Sequence, residues 1–242
     1  MDPLKVTAHL SIGNIAVFED HSPALDSLLE WLILDRLGMA APNPTPAEVE
    51  ASRPIVADHM PLAQGSLAGN WYWQTSGPCY RIHAESTDRF RKRWQPGADT
   101  PEPNWGKRKA KVEGSQGPEK SYDLPLYVRT TPAIHWYCVG DKAGIEDLLS
   151  GCAGLGKKRA YGYGQVHHWE VSTHDHDWHL WRENTLMRCI PLDAVDRPAD
   201  FGILQWGWRP PAWLPANRIL CAMPVHTVSR AVLARAGGPA TR

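Results

Sequence analysis

The chain has 242 residues, 43% of them hydrophobic by type, and its 26 basic residues are matched by 26 acidic ones, for a formal net charge of zero at pH 7. That length can bury a substantial core and exceeds one minimal two-layer unit, so one elaborated domain or two closely packed ones are expected. The balance excludes a globally polycationic binder: any affinity for a polyanion has to come from cations gathered locally.

Five cysteines, Cys79, Cys138, Cys152, Cys189 and Cys221, are odd in number and widely spaced. They leave no C-x-x-C pair to hold zinc or a redox disulfide and read as reduced thiols in a cytoplasmic protein. No apolar run approaches the roughly 20 residues that span a bilayer, and Met1-Asp2-Pro3-Leu4-Lys5 lacks a signal-type apolar core, so no membrane partner is expected.

Lys5 to Ile12 alternates, with Val6, Ala8, Leu10 and Ile12 on one face and Thr7, His9 and Ser11 on the other, which predicts a half-buried strand. His9 is expected to be solvated or hydrogen-bonded there. Ser22 as N-cap and Pro23 at the first helical position open a helix that Gly38 ends. Leu25, Leu28, Leu29 and Leu32 line one side of it, and Trp31, Ile33 and Leu34 widen that side toward burial. Thr45, Pro46 and Glu48 form a capping box for a short helix through Ser52. Trp71-Tyr72-Trp73 and Tyr80-Arg81-Ile82-His83 read as paired strands across a turn at Ser76-Gly77-Pro78.

Residues 89–120 carry nine cations (Arg89, Arg91, Lys92, Arg93, Lys107, Arg108, Lys109, Lys111, Lys120) against four acids (Asp99, Glu102, Glu113, Glu119), a local charge of +5. Pro96, Gly97, Pro101, Pro103, Gly106, Gly114, Gly117 and Pro118 preclude regular structure throughout, so the stretch reads as a long basic insertion carrying Trp94 and Trp105. Cations suit a phosphate chain and aromatic faces suit unpaired bases. The competing reading is a merely solvated charged loop.

Leu124 to Val128 and Ile134 to Val139 supply further strand. Ile145, Leu148 and Leu149 mark the second helix of the unit, with Asp141 as N-cap and Gly151 as its stop, and Gln165 to Val171 closes as a strand. The coarse order β, α, β, β, α, β is the ferredoxin-like one, with additions after the first helix and inside the central hairpin.

Between that helix and that strand, Gly154/Gly156 and Gly162/Gly164 bracket five residues that include the consecutive cations Lys157, Lys158 and Arg159. A backbone free to take positive φ beside dense positive charge suits a polyanion, with Tyr161 or Tyr163 abutting sugar or base. Phosphate loops of nucleotide-binding enzymes run strand, loop, helix; here the order is reversed, and Lys158 stands where the Walker pattern needs a hydroxyl for magnesium. The loop therefore reads as a nucleic-acid contact, against the alternative of a tight connection with solvated lysines.

Downstream, His174-Asp175-His176-Asp177 and His179 form a contiguous polar run read as a solvated turn, with no metal assigned. The tail, with Trp178, Trp181, Trp206, Trp208 and Trp213, is expected to pack on the sheet or form a partner surface, and residues 237–242 to fray.

The spacing Gly-apolar-Gly, five residues, Gly-apolar-Gly resembles the glycine-rich loop of the RAMP superfamily of CRISPR proteins. Within it the chain is similar to the small type IV CRISPR effector subunit, the counterpart of the Cas-five subunits that cap the 5′ handle of the guide RNA. The likeness runs through residues 25–31, Phe90-Arg91-Lys92-Arg93-Trp94, residues 121–127 and residues 154–166. It implies an α+β, ferredoxin-like (RRM-like) RAMP domain over residues 1–172, with a thumb insertion at about 89–120 and a Trp-rich C-terminal extension over 173–242.

The resemblance also implies a noncatalytic crRNA-binding subunit, without metal or cofactor. It would partner crRNA, the backbone (Cas-seven-like) subunit, which the thumb contacts, and the large subunit, reaching target DNA through the assembled complex. The RNA contacts so implied are Gly154, Gly156, Lys157, Lys158, Arg159, Tyr161, Gly162, Tyr163 and Gly164 in the loop, with Arg89, Arg91, Lys92, Arg93, Trp94, Trp105, Lys107, Arg108, Lys109 and Lys111 in the thumb. The alternative is a metal-independent endoribonuclease processing precursor crRNA, drawing its base, acid and cation from His9, His83, Tyr161 and Lys158. A protein-only scaffold is the third reading.

Overall fold

The computed structural model describes residues 1–16, 23–92 and 121–224. Its elements in chain order are β1 (Asp2–Leu10), β2 (Asn14–Ala16), α1 (Leu25–Arg36), α2 (Pro46–His59), β3 (Gln64–Leu67), β4 (Asn70–Trp73), β5 (Ala84–Lys92), β6 (Tyr122–Thr130), β7 (Ala133–Gly140), α3 (Lys142–Leu149), β8 (Val166–Thr173), β9 (Trp181–Arg182), β10 (Thr185–Leu186), β11 (Ile190–Pro191), β12 (Gly202–Gly207) and β13 (Arg218–Met223). They make a mixed α/β chain of several small antiparallel sheets.

The alternation over β1 places it at the centre of a sheet ordered β7-β1-β8, with Val6 opposite Trp136 on one side and Val171 on the other. Leu4, Val6 and Ala8 bury against Leu25, Leu29 and Ile33 of α1 and Ile145 and Leu149 of α3, forming the main core. The strand stops short of the expected Ile12: the register slips after His9, the chain bends, and Ile12 is 59% exposed.

Helix α1 begins two residues later than expected, with an extended Ala24 as N-cap and no side-chain cap. The Pro23 carbonyl is instead held by the Trp136 indole N–H at 3.0 Å, which fixes the chain outside the helix there; Ser22 lies outside the described residues. Gly38 does end it, at φ +69°: its N–H donates to Asp35 and that of Met39 to Leu34, the double closure a left-handed residue permits. Helix α2 has the expected capping box, and runs past Ser52 and through Pro54 because Val49, Ser52 and Val56 keep one face buried. Asp141 caps α3 by accepting from the Gly144 N–H.

Trp71-Tyr72-Trp73 pair with β3 and not with Tyr80–His83. Ala68 (φ +47°) and Gly69 (φ +75°) supply the two-residue turn whose twist suits a hairpin. Tyr80–His83 forms no strand, because the free edge of β7 captures Thr75 and Cys79 singly, Cys79 exchanging backbone bonds of 2.8 and 2.9 Å with His135. Strand β5 pairs with β6 along its whole length in a second sheet, β2-β6-β5. Arg89, Arg91 and Lys92, expected within an irregular insertion, therefore sit on a regular strand.

The C-terminal portion builds its own sheet, β11-β13-β12, around Leu186, Ile190, Trp208, Cys221 and Ala222, with Tyr72 inserted from β4. Arg188 joins this core to the first. Its guanidinium donates to the carbonyls of Trp73, Thr75 and Trp208, each at 2.8 Å, and lies 3.6 Å from Asp26 on α1. All five cysteines are free thiols, four of them buried.

Candidate nucleic-acid interface

The glycine loop is anchored by Leu155, which is 1% exposed, and pinned by backbone bonds from Leu155 N–H to Gly164, Val166 N–H to Ala153 and Gly164 N–H to Asn14. Gly156, Lys158, Gly162 and Gly164 all take left-handed φ, at 72°, 60°, 89° and 64°. A Cβ on Gly164 would stand 2.1 Å from the Leu155 carbonyl oxygen, and one on Gly156 2.8 Å from that of Ala16. The closest approaches these two glycines allow are to the protein's own backbone. They fix the bend, and the bend sets where the cations go.

The three cations diverge. Lys157 is exposed. Lys158 lays its ammonium 3.5 Å from the centre of the Phe90 ring on β5, and Arg159 lies 5.2 Å over Trp31 on α1 while donating to the Gly154 carbonyl. Tyr161, 64% exposed, meets Phe90 edge-on at 4.9 Å, and Tyr122 on β6 stacks on Phe90 at 5.4 Å. The result is an aromatic strip with a cation resting on it. Tyr163 turns inward: its hydroxyl donates to Asp88, a bond that raises its phenol pKa, and its ring packs on Ala16, Leu126 and Val128.

Strand alternation divides the expected thumb residues. Lys92 shares the Phe90 face of β5, whereas Arg89 and Arg91 point to the other side and share Asp123 of β6, at 3.4 and 3.2 Å. Arg93, Trp94, Trp105, Lys107, Arg108, Lys109 and Lys111 lie outside the described residues. Sequence reasoning missed Phe90 and Tyr122 as site residues and misplaced Trp31, which is 40% exposed and not on the buried side. Phe90 alternating with Arg89 and Arg91 was the signal available for the first.

A cleft of about 370 Å³ opens at the root of the loop, lined by Trp31, Leu32 and Asp35 of α1, the Gly151–Gly154 segment, Arg159 and Gln165.

The acid–base candidates are not gathered. His9 bonds Glu170 at 3.1 Å on the central sheet, with His168 stacked on it at 4.0 Å, while His83 is tied by its backbone N–H to Thr130 at the head of the second sheet. The His9 contact holds the Glu170 carboxyl below its usual range; burial, with Lys5 and His9 adding to it, lowers the His135 imidazole beside Thr7. Lys158 and Tyr161 do adjoin, at 5.8 Å. Downstream, His174 and His176 pack against Trp178, and His179 is held by Tyr72 and Asp177.

Residues 2–224 match the family described as CRISPR type IV associated protein Csf3, a span that takes in the loop, both sheets and the C-terminal core. The chain belongs to the Csf3 family. Csf3 is the Cas5-like subunit, so membership associates this chain with a type IV CRISPR complex. No curated protein matches it. Among the described residues of this Csf3-family chain, no helix is long and apolar enough to cross a membrane.

Proposed function

We propose that the chain caps the 5′ end of the guide RNA in a type IV CRISPR ribonucleoprotein, and that it binds without cutting. The observation that carries this is the loop itself: a bend stiffened by internal glycine contacts that lays Lys158 on Phe90 and Arg159 on Trp31 and leaves Lys157 exposed beside them. Phosphates take the cations, and unpaired bases take the exposed Tyr161 and its neighbours, which is how proteins hold single strands. On this reading the β7-β1-β8 sheet with α1 and α3 is the ferredoxin-like, RRM-like unit of the RAMP fold, its fourth strand reduced to the bridges at Leu62, Thr75 and Cys79.

The basic insertion with Trp94 and Trp105 holds the next nucleotides and contacts the backbone subunit, while the guide's own pairing reads target DNA. Changing Lys157, Lys158 and Arg159 together to alanine tests it: the slope of log affinity against log salt falls by up to about 0.7 for each phosphate no longer neutralised. An unchanged slope would make the chain a protein-only scaffold. Incubation with labelled repeat RNA in EDTA should give retention without cleavage; site-specific cleavage would make it an endoribonuclease.

A further inference from the structure

The cleft beside Trp31 joins one loop cation, Arg159, to groups that the loop's phosphate contacts do not use. It holds the Trp31 ring, 40% exposed, with the Arg159 guanidinium 5.2 Å over its centre, and is closed on another side by the Gly151–Gly154 segment, with open space where a Cβ on Gly151 would project. The Asp35 carboxylate and the Gln165 side-chain amide, both exposed, make no ion pair or side-chain hydrogen bond among the described residues. Trp31 and Asp35 stand four residues apart on α1, so their Cβ atoms are about 6 Å apart on one helix face, within the reach of a single base.

A carboxylate only accepts hydrogen bonds and repels phosphate, so what lies against Asp35 has to be a donor edge. Among the bases, guanine alone sets two neighbouring donors, N1–H and N2–H, against the two oxygens of one carboxylate; adenine and cytosine offer an amino group beside an acceptor, and uracil a single imino N–H between two carbonyls.

We infer that this cleft receives one unpaired guanine of the bound RNA, stacked on Trp31 in place of the Arg159 guanidinium, which turns to the neighbouring phosphate, with the N1–H and N2–H of the base on Asp35. The inference rests on the guide-binding reading and deepens it: the chain reads the identity of one base as well as holding the backbone. Gln165 faces the same space and offers an amide to the O6 side.

The test uses the full chain and fluorescein-labelled uridine octamers carrying one guanosine, adenosine or inosine, with affinities measured by anisotropy. The guanosine octamer should bind about tenfold more tightly than the adenosine one, the size expected of a bidentate base contact, with inosine, which lacks the 2-amino group, between them. Asp35→Ala should abolish that preference while the adenosine octamer binds as tightly as before or more tightly, since a negative charge has gone. Trp31→Ala should weaken every octamer by about tenfold, the loss of one stacked base. Lys158→Ala should weaken all of them and shallow the salt slope while keeping the guanosine preference. Both cleft residues are exposed, so circular dichroism should show these variants folded.

A guanosine preference that survives Asp35→Ala, or unchanged affinities in Trp31→Ala, would overturn the inference and leave the guide-binding reading standing on the Lys158 result. If no octamer bound with salt-dependent affinity, both would fall.

Discussion

A methyl group on Gly164 would overlap the Leu155 carbonyl at a left-handed φ, whereas one on Gly162 would meet only the Ile12 side chain at 3.7 Å. Alanine at Gly162 should therefore cost about 1–2 kcal/mol, from the backbone conformation alone. Alanine at Gly156 should cost more, and at Gly164 more again, enough to unseat the loop; thermal melting of the three variants checks the order. The glycine spacing is legible in the sequence but its use is not, because spacing does not say which backbone passes behind a glycine. Trp31 misleads for a similar reason: helical periodicity marks the apolar stripe, but not the point at which the neighbouring loop stops covering it.

A second residue-scale prediction concerns Glu30. Burial lifts its carboxyl from 4.5 to about 7, the charge of Asp26 adding to the shift and Arg53 opposing it; burial also raises Asp26 itself, outweighing Arg188. A carboxyl that holds its proton more tightly in the folded state stabilises the fold below its unfolded pKa and loses that contribution as pH rises through its folded one. Stability should thus decline between about pH 4.5 and pH 7. Glu30→Gln should flatten that window and raise the melting temperature at pH 8; an unchanged profile would show that Glu30 does not set it.

At the scale of elements, helix caps and strand alternation can be read locally, since Thr45, Glu48 and Asp141 act within one turn and β1 alternates on its own pattern. Strand partners cannot. Whether Trp71–Trp73 pair forward or backward depends on β7 offering a free edge to Thr75 and Cys79, a fact of the assembled sheet. The irregular basic insertion begins later than its charge pattern suggests for the same reason, since Arg89 to Lys92 gain their order from β6. The joint between the two cores rests on Arg188, whose role no local pattern reveals. Arg188→Met leaves the Thr75 and Trp208 carbonyls without the guanidinium donor, leaves that of Trp73 with only the Thr75 N–H, and takes the cation from beside Asp26, at a cost of about 3–5 kcal/mol. Hydrogen exchange should then quicken first in β11, β12 and β13; uniform exchange across the chain would show that the joint lies elsewhere.

For the whole molecule, a net charge of zero means that binding is decided by where the cations stand. The fold brings both α1 and the β5–β6 pair against the glycine loop, so that residues distant in sequence meet there: Phe90, stacked on Tyr122, takes Lys158, and Trp31 takes Arg159. That convergence is the physical content that Csf3-family membership alone does not supply. It is tested most directly by assembling the type IV complex on a guide RNA carrying 4-thiouridine along its 5′ end, irradiating it and mapping the crosslinked peptides of this chain. Crosslinks should fall within residues 157–163 and on neighbouring Trp31 or Phe90. Crosslinks confined to β9–β13, with the loop unmarked, would contradict a guide held at this surface.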